Sequence, residues 1–177
     1  MGEEEVTALA LSLKNVTQLN KLHLSNNPLG HGVSELAKHL HNVPHLNKLH
    51  LNDTQMGEEE VTALAHVLIY VPNWMELLLK KNPLGRGVTE LIKCLRSSPW
   101  VPRIPRLYLP VVQLTKKEAT ELCTLANERD IVLQSDYNVS CSFVICIINA
   151  RNTQELAGRR KGTVLQRSCV AILIRAK

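Results

Sequence analysis

An internal repeat constrains the fold of this chain more than any other feature of its sequence. The ten residues MGEEEVTALA at positions 1–10 occur again, unchanged, at 56–65, and the tetrapeptide NPLG at 27–30 recurs at 82–85. The offset from position 1 to position 56 is the same as that from position 27 to position 82. A fixed period of this size is typical of an array of small structural units, each of which buries its apolar side against its neighbours.

Each such period contains two shorter units. Four segments follow the pattern LxxLxLxxN, with substitutions, and their central leucines recur at nearly even intervals. Alternate side chains of a β-strand point to opposite faces, so these leucines are expected to face the interior and the residues between them to face solvent. The sequence therefore predicts one short strand in each unit. The central leucines are Leu22, Leu49, Leu77 and Leu107.

The apolar spacing changes to that of an α-helix between the predicted strands. Val33, Leu36, Ala37 and Leu40 form one apolar stripe at helical spacing, and each unit has an equivalent set. The sequence therefore predicts that a helix follows each strand.

Turns and helix starts carry residues with specific local roles. Thr115 followed by Glu118 predicts a capping box for a fifth helix, after which residues 131–134 form a closing strand. Asn27 and Asn82 are expected to hydrogen-bond the backbone of the turn with their side-chain amides. Four glycines are expected to adopt backbone conformations that other residues resist. They are Gly30, Gly32, Gly85 and Gly87.

The motif NPLGxGV[ST]EL after the strand, together with the alternation of two unit types within each long period, resembles the ribonuclease-inhibitor class of leucine-rich repeats. Within that class it is most similar to the C-terminal repeats of NOD-like (NACHT-type) innate immune receptors. The resemblance covers residues 1 to about 135. It implies an α/β fold, a horseshoe solenoid with parallel strands on the concave face and helices on the convex face. The chain then divides into leucine-rich repeats over 1–137, about four units and a terminal helix, and a non-repeat tail over 138–177.

The same alignment bears on how the chain relates to longer receptors. Met1 aligns with Met56, which lies inside a unit, so we expect a fragment or truncated product of a longer array. NOD-like receptors carry a nucleotide-binding module ahead of their repeats. No GxxxxGK[ST] motif occurs here, so the resemblance does not imply ATP binding.

Proteins of this class act as immune sensors, as enzyme inhibitors and as activators of a small GTPase, so the resemblance suggests more than one kind of function. We expect a protein–protein interaction module, the ligand-sensing or autoinhibitory repeats of a NOD-like-receptor-type protein. The alternative is a regulator of an enzyme, either a small-GTPase activator or a ribonuclease inhibitor. No nucleophile elbow, HExxH motif or glycine-rich phosphate loop occurs, so we predict no enzymatic activity, no cofactor and no small-molecule substrate.

The residues that point outward from the predicted strands form columns across the units, and these columns are the predicted contact surface for a protein partner. They are mildly basic, with an apolar end at Leu78 and Tyr108. A partner with an acidic patch and one apolar anchor would match them, whereas the alternative is that they are merely solvated. The predicted partner-binding residues are Lys21, His23, Lys48, His50, Asn52, Asp53, Glu76, Leu78, Lys80, Arg106 and Tyr108.

Two histidines in one column raise the question of a metal site. His23 and His50 would lie about 5 Å apart at ordinary strand spacing. A zinc site needs three or four ligands, and no third ligand column accompanies the two rings, so we predict no metal site. Protonation at about pH 6 is expected to tune partner binding there.

The positive charge of the chain is concentrated at its C-terminal end. Residues 1–140 carry 14 Lys and Arg against 15 Asp and Glu, whereas residues 141–177 carry seven against one. The three consecutive basic residues at 159–161 are a weak match to a nuclear or nucleic-acid signal, and no aromatic residues interleave with them. We therefore expect a disordered tail and no nucleic-acid partner.

Targeting features favour a cytoplasmic protein. No secretory signal is present, and an apolar stretch such as residues 143–148, which no other stretch exceeds in length, is too short to span a membrane. The five cysteines are odd in number and never form a CxxC pair, which suits a reducing compartment. We therefore expect a cytoplasmic location and no membrane partner.

Overall fold

The computed structural model describes residues 1–71, 73–97, 104–110 and 114–135. The predicted tail, residues 138–177, lies outside the described residues. Within them, helices and strands alternate along the chain, as the change of apolar period predicts.

Five short strands form one parallel sheet, in which each strand pairs with the next along the chain. Leu49 pairs with Leu22 on one side and with Leu77 on the other, so the central leucines stand in register. Parallel neighbours need a crossover, and a helix supplies it between consecutive strands. The predicted α/β class with parallel strands is therefore confirmed. The strands are β1 (Lys21–His23), β2 (Lys48–His50), β3 (Glu76–Leu78), β4 (Arg106–Leu109) and β5 (Val132–Ser135).

The fifth helix has the predicted start, and the first three helices share one kind of ending. The fifth begins at the predicted capping box, where Thr115 Oγ1 accepts from the Glu118 N–H and the Thr115 N–H donates to Glu118 Oε2. The first three run on into single 3₁₀ turns at Leu13–Asn15, Leu40–Asn42 and Leu68–Tyr70. The α-helices are α1 (Glu3–Ser12), α2 (Gly32–His39), α3 (Glu58–Val67), α4 (Gly87–Ser97) and α5 (Lys116–Arg129).

The core lies between the sheet and the helices and consists mainly of aliphatic side chains. In β1 the central Leu22 is buried while Lys21 and His23 are exposed, which is the predicted alternation. Each fully buried leucine contributes about 1.5–3 kcal/mol relative to an exposed one, so a column of leucines repeated on every strand is a major source of stability. This column runs through Leu22, Leu49, Leu77, Leu107 and Leu133.

The turns after β1 and β3 are each held by a side-chain amide, as predicted for Asn27 and Asn82. Asn27 Nδ2 donates to Leu24 O at 3.0 Å, and Asn82 Nδ2 donates to Leu79 O at 3.0 Å. Asn82 is fully buried and also donates to Leu51 O of the preceding unit at 2.6 Å. The same residue type thus closes its own turn and ties it to the neighbouring one.

The prediction for the four glycines is correct for two and wrong for the other two. Gly30 and Gly85 have φ values of 48° and 51°, in the left-handed region that favours glycine. Gly32 and Gly87 are ordinary first-turn helical residues, and the reason for glycine there is space. A Cβ on Gly87 would lie 2.6 Å from the backbone oxygen of Glu58, so only glycine allows α4 this close to α3.

Candidate partner-binding surface

One surface of the sheet points away from the core. It consists of the outward-pointing residues of the strands and the residues directly after each strand, and we call it the strand face. Its first row runs across the strands in register, and its second row lies two residues further along each strand. Every predicted partner-binding residue is at least partly exposed in the part of the chain that the structure describes. The first row is Lys21, Lys48, Glu76 and Arg106; the second row is His23, His50, Leu78 and Tyr108.

The two histidines are in contact, at the separation that the sequence predicts. The ring centroids of His23 and His50 are 5.1 Å apart, and the rings meet edge to face. Burial lowers the pKa of His50, while the nearby Glu76 carboxylate acts in the opposite direction. Burial therefore favours the neutral form of the His50 ring.

Glu76 is an acidic neighbour of His50. The sequence analysis placed it in a different column and did not connect it with the two histidines. Its Oε2 lies 3.8 Å from His50 Nε2, which is beyond hydrogen-bond distance. Among the residues that the structure describes, no group hydrogen-bonds to this buried nitrogen. The pairing of Lys48 with Glu76 in the sheet register would have shown that this carboxylate stands one strand from the second histidine.

The opposite end of the strand face is more apolar and is organised around Tyr108. Leu78 pairs with Tyr108 in the register, and the Lys80 Nζ lies 4.7 Å from the centroid of the tyrosine ring. A cation at this distance from an aromatic ring contributes about 0.5–1 kcal/mol at an exposed site. Tyr108 and Lys80 therefore stabilise each other's position on the strand face.

Two of the predicted binding residues also have structural roles. The Asn52 side-chain oxygen accepts from the Lys80 N–H at 2.8 Å, which links two units beyond the end of the sheet. Asp53 has a φ of 54°, and Asn26 and Lys81 in the neighbouring units share this left-handed conformation. This bend ends the extended backbone and turns the chain toward the next helix, and asparagine and aspartate tolerate it better than most residues.

A second polar cluster, on the helix side, was missed by the sequence analysis. His31 Nδ1 lies 2.6 Å from Glu60 Oε1, and the ligand atoms of His31, Glu59 and Glu60 all lie within 4.8 Å of one another. These groups could hold a metal ion, but the short contact is already accounted for as a hydrogen bond between neighbouring units. The sequence contained one indication of this cluster: His31 comes directly before one helix, and Glu60 lies in the first turn of the next helix.

The surroundings of Glu60 explain why His31 lies next to it. Its side chain is almost fully buried, and its other oxygen accepts from the Gly57 N–H at 2.8 Å at the start of α3. Hydrogen bonding to Glu60, followed by its charge, raises the pKa of His31. The imidazole thus balances a buried carboxylate while remaining exposed itself.

Cys94 is partly buried, and burial raises the pKa of its thiol, which disfavours the reactive thiolate. The strand face offers cationic, hydrogen-bonding and apolar groups spread across four strands. Groups spread over a surface in this way can make several separate polar and apolar contacts.

No protein-family model matches this chain, and comparison with curated proteins also finds no match. The resemblance to the ribonuclease-inhibitor class therefore stays a prediction from the motif. Among the described residues, no helix has both the length and the apolar character that a membrane crossing requires.

Proposed function

We propose that this chain is a protein–protein interaction module that binds its partner on the strand face, as the ligand-sensing or autoinhibitory repeats of a NOD-like-receptor-type protein in the cytoplasm. The observation that carries the proposal is the register of the sheet, which aligns two rows of polar and aromatic side chains on the surface opposite the core. Rigid strands present these side chains in fixed relative positions, which lowers the entropy cost of binding.

The finer architecture belongs to the same proposal: a leucine-rich-repeat horseshoe with the strands on its concave face. Its support is a difference in spacing. Paired strands lie about 4.8 Å apart, whereas packed helices lie about 8–10 Å apart. Consecutive strands pair here, and consecutive helices pack against one another. The layer of helices is therefore longer than the layer of strands to which it is joined. Such a stack curves with its strands inside.

The charges on the strand face favour a partner with an acidic patch next to an apolar group. Lys21 and Lys48 stand side by side on β1 and β2, and Arg106 stands on β4, against the single carboxylate of Glu76 in the same row. The apolar group would meet Leu78 and Tyr108 in the second row. Charge complementarity of this kind sets the encounter rate and the orientation, while the aromatic end supplies much of the affinity.

The proposal is tested by affinity capture with three baits. The first is the unmodified chain, and the second carries Lys48→Glu, Lys80→Glu and Tyr108→Ala on the strand face. The matched control carries the same kinds of change on exposed residues elsewhere. These control changes are Lys38→Glu, Lys93→Glu and Tyr70→Ala.

We expect a set of proteins that the unmodified chain and the control recover equally and that the strand-face variant loses by at least about tenfold, a change of about 1.4 kcal/mol. Circular dichroism of all three baits checks that the loss does not come from unfolding. Equal recovery by all three would reject the strand face as the binding surface. Acceleration of GTP hydrolysis by a small GTPase, or inhibition of a ribonuclease, would instead support regulation of an enzyme.

A further inference from the structure

His50 lies in the second row of the strand face, with a strand on each side of it. The titratable residues near it on β1 are Lys21 and His23, and the one on β3 is Glu76. Its own strand adds Lys48, two residues earlier. Among these described neighbours Glu76 is the one acid, so a proton on the His50 ring has one carboxylate to meet.

The ring and the carboxylate are close but not bonded. His50 Nε2 lies 3.8 Å from Glu76 Oε2, and the two side chains are 12% and 16% exposed. A protonated imidazole carries a hydrogen on both nitrogens, so Nε2 would then be a donor. A movement of about 1 Å would bring the two atoms to the separation of a charge-assisted hydrogen bond. Protonation would therefore give this buried nitrogen the partner that it lacks among the described residues.

Glu76 is also placed where its charge matters to the whole first row. The sheet register sets it between two cations, Lys48 on β2 and Arg106 on β4. Among the described residues, the ion-pair contact of this carboxylate is with His50 and not with either cation. Glu76 thus interrupts a row of cations, and its charge is the one that a proton on His50 would offset.

The ring takes up this proton in mildly acidic solution. Burial lowers the pKa of His50 from its ordinary value, while Glu76 acts in the opposite direction. An anionic partner above the ring would favour the protonated form. By thermodynamic reciprocity, protonation must then strengthen the binding of that partner.

We propose that the His50–Glu76 pair is a proton-dependent contact of the strand face, and that its protonation strengthens the binding of an acidic partner. The proton sets Nε2–H against Oε2, offsets the negative charge of the first row and leaves Lys48 and Arg106 to meet the partner. The sequence predicts only that protonation tunes binding, and the contact with Glu76 adds the residue and the direction. This inference rests on the proposed function.

The first measurement needs no partner. Proton NMR follows the ring signals of His50 and His23 in the full chain from about pH 8 to about pH 5, where imidazoles titrate. Glu76→Gln removes the group that raises the pKa of His50, so this ring should titrate at a lower pH in the variant. The His23 ring is the internal reference and should move less. An unchanged titration of His50 would overturn the proposal.

The second measurement uses an acidic probe, a synthetic peptide of cysteic acid residues with one central tryptophan. Its sulfonates stay charged throughout, so the probe itself does not titrate. Its affinity for the unmodified chain should rise by at least about threefold between about pH 7.5 and about pH 5.5. His50→Gln should lose most of this rise. The matched control, His23→Gln, makes the same change in the same row and should lose less, and circular dichroism checks folding at both pH values.

The outcomes separate this inference from the function on which it rests. Binding of the probe without dependence on pH, or a rise that His50→Gln retains, would overturn the inference alone. So would a His23→Gln chain that loses as much of the rise as His50→Gln. A probe that binds at neither pH, or binds equally well to the strand-face variant, would count against the proposed function and against this inference with it.

Discussion

Asn82 shows how much one side chain can determine in a repeated fold. Its Nδ2 donates to Leu51 O and Leu79 O, while its Oδ1 accepts from the Thr54 and Met56 N–H groups. An amide provides both donors and acceptors at one buried point, whereas aspartate would bring a charged acceptor against backbone oxygens. Asparagine at the end of the leucine pattern is therefore selected by four backbone groups from two units.

The His31–Glu60 pair leads to a pH-dependence prediction. The pKa of His31 is raised in the folded chain, so its contribution to stability is fully present below its ordinary pKa of about 6.5 and is lost as the pH rises through the higher folded value. Replacing His31→Gln should therefore destabilise the protein at pH 6 and have a smaller effect at pH 8. Urea unfolding at a series of pH values measures the difference.

A double-mutant cycle isolates the pair from other effects of the change. Glu60→Gln keeps a side-chain oxygen for the Gly57 N–H but removes the charge that faces His31. In the Glu60→Gln background, His31→Gln should show no such pH dependence. A pH-independent loss in the original background would mean that the ion pair is not what His31 contributes.

At the scale of elements, the approach of α4 to α3 depends on a single missing Cβ. A Cβ at Gly87 would lie 2.1 Å from Val61 Cγ1 and 2.6 Å from Glu58 O. The valine can turn away, but the backbone oxygen belongs to the helix itself. The two helices would have to separate, and the core between them and the sheet would open.

Gly87→Ala should therefore lower the free energy of unfolding by about 1–3 kcal/mol, even though alanine favours a helix by about 1 kcal/mol over glycine. Adding Val61→Ala should not restore the loss, since the contact with Glu58 O remains. Arg96→Ala, on the exposed side of α4, is the control and should change stability by less than about 0.5 kcal/mol. Chemical denaturation measures all of them, and a neutral or stabilising Gly87→Ala would show that α4 can move without cost.

These same elements show which features of the fold could be predicted from the sequence. The register of Leu22, Leu49 and Leu77 follows from a repeated pattern with the period of a strand, so the sheet and its parallel order could be predicted. The lack of space for a Cβ at Gly87 could not be predicted, because the atoms that would clash belong to a helix about one unit away in the sequence. The register places Glu76 one strand from His50, but the 3.8 Å between Glu76 Oε2 and His50 Nε2 also depends on side-chain conformation, which the repeat pattern does not give.

At the scale of the whole molecule, the chain is a stack in which position decides how much a residue contributes. Each inner strand has two neighbours in the sheet, whereas β1 pairs only with β2 among the described strands. Arrays of this kind are stabilised by the units themselves and by the interfaces between nearest neighbours. Chemically identical residues should therefore differ in energetic weight along the stack.

Leu22 and Leu49 test this directly, since they occupy the same place in identical KLH strands. Leu49 is 0% exposed with leucines on both sides, whereas Leu22 is 9% exposed with one such neighbour. Leu49→Ala should cost about 2–5 kcal/mol, because it opens a cavity that neighbouring units cannot readily fill. Leu22→Ala should cost clearly less, because its cavity opens toward the uncovered edge. Equal losses in urea unfolding would mean that the unit, and not its position in the stack, sets the energy of the leucine column.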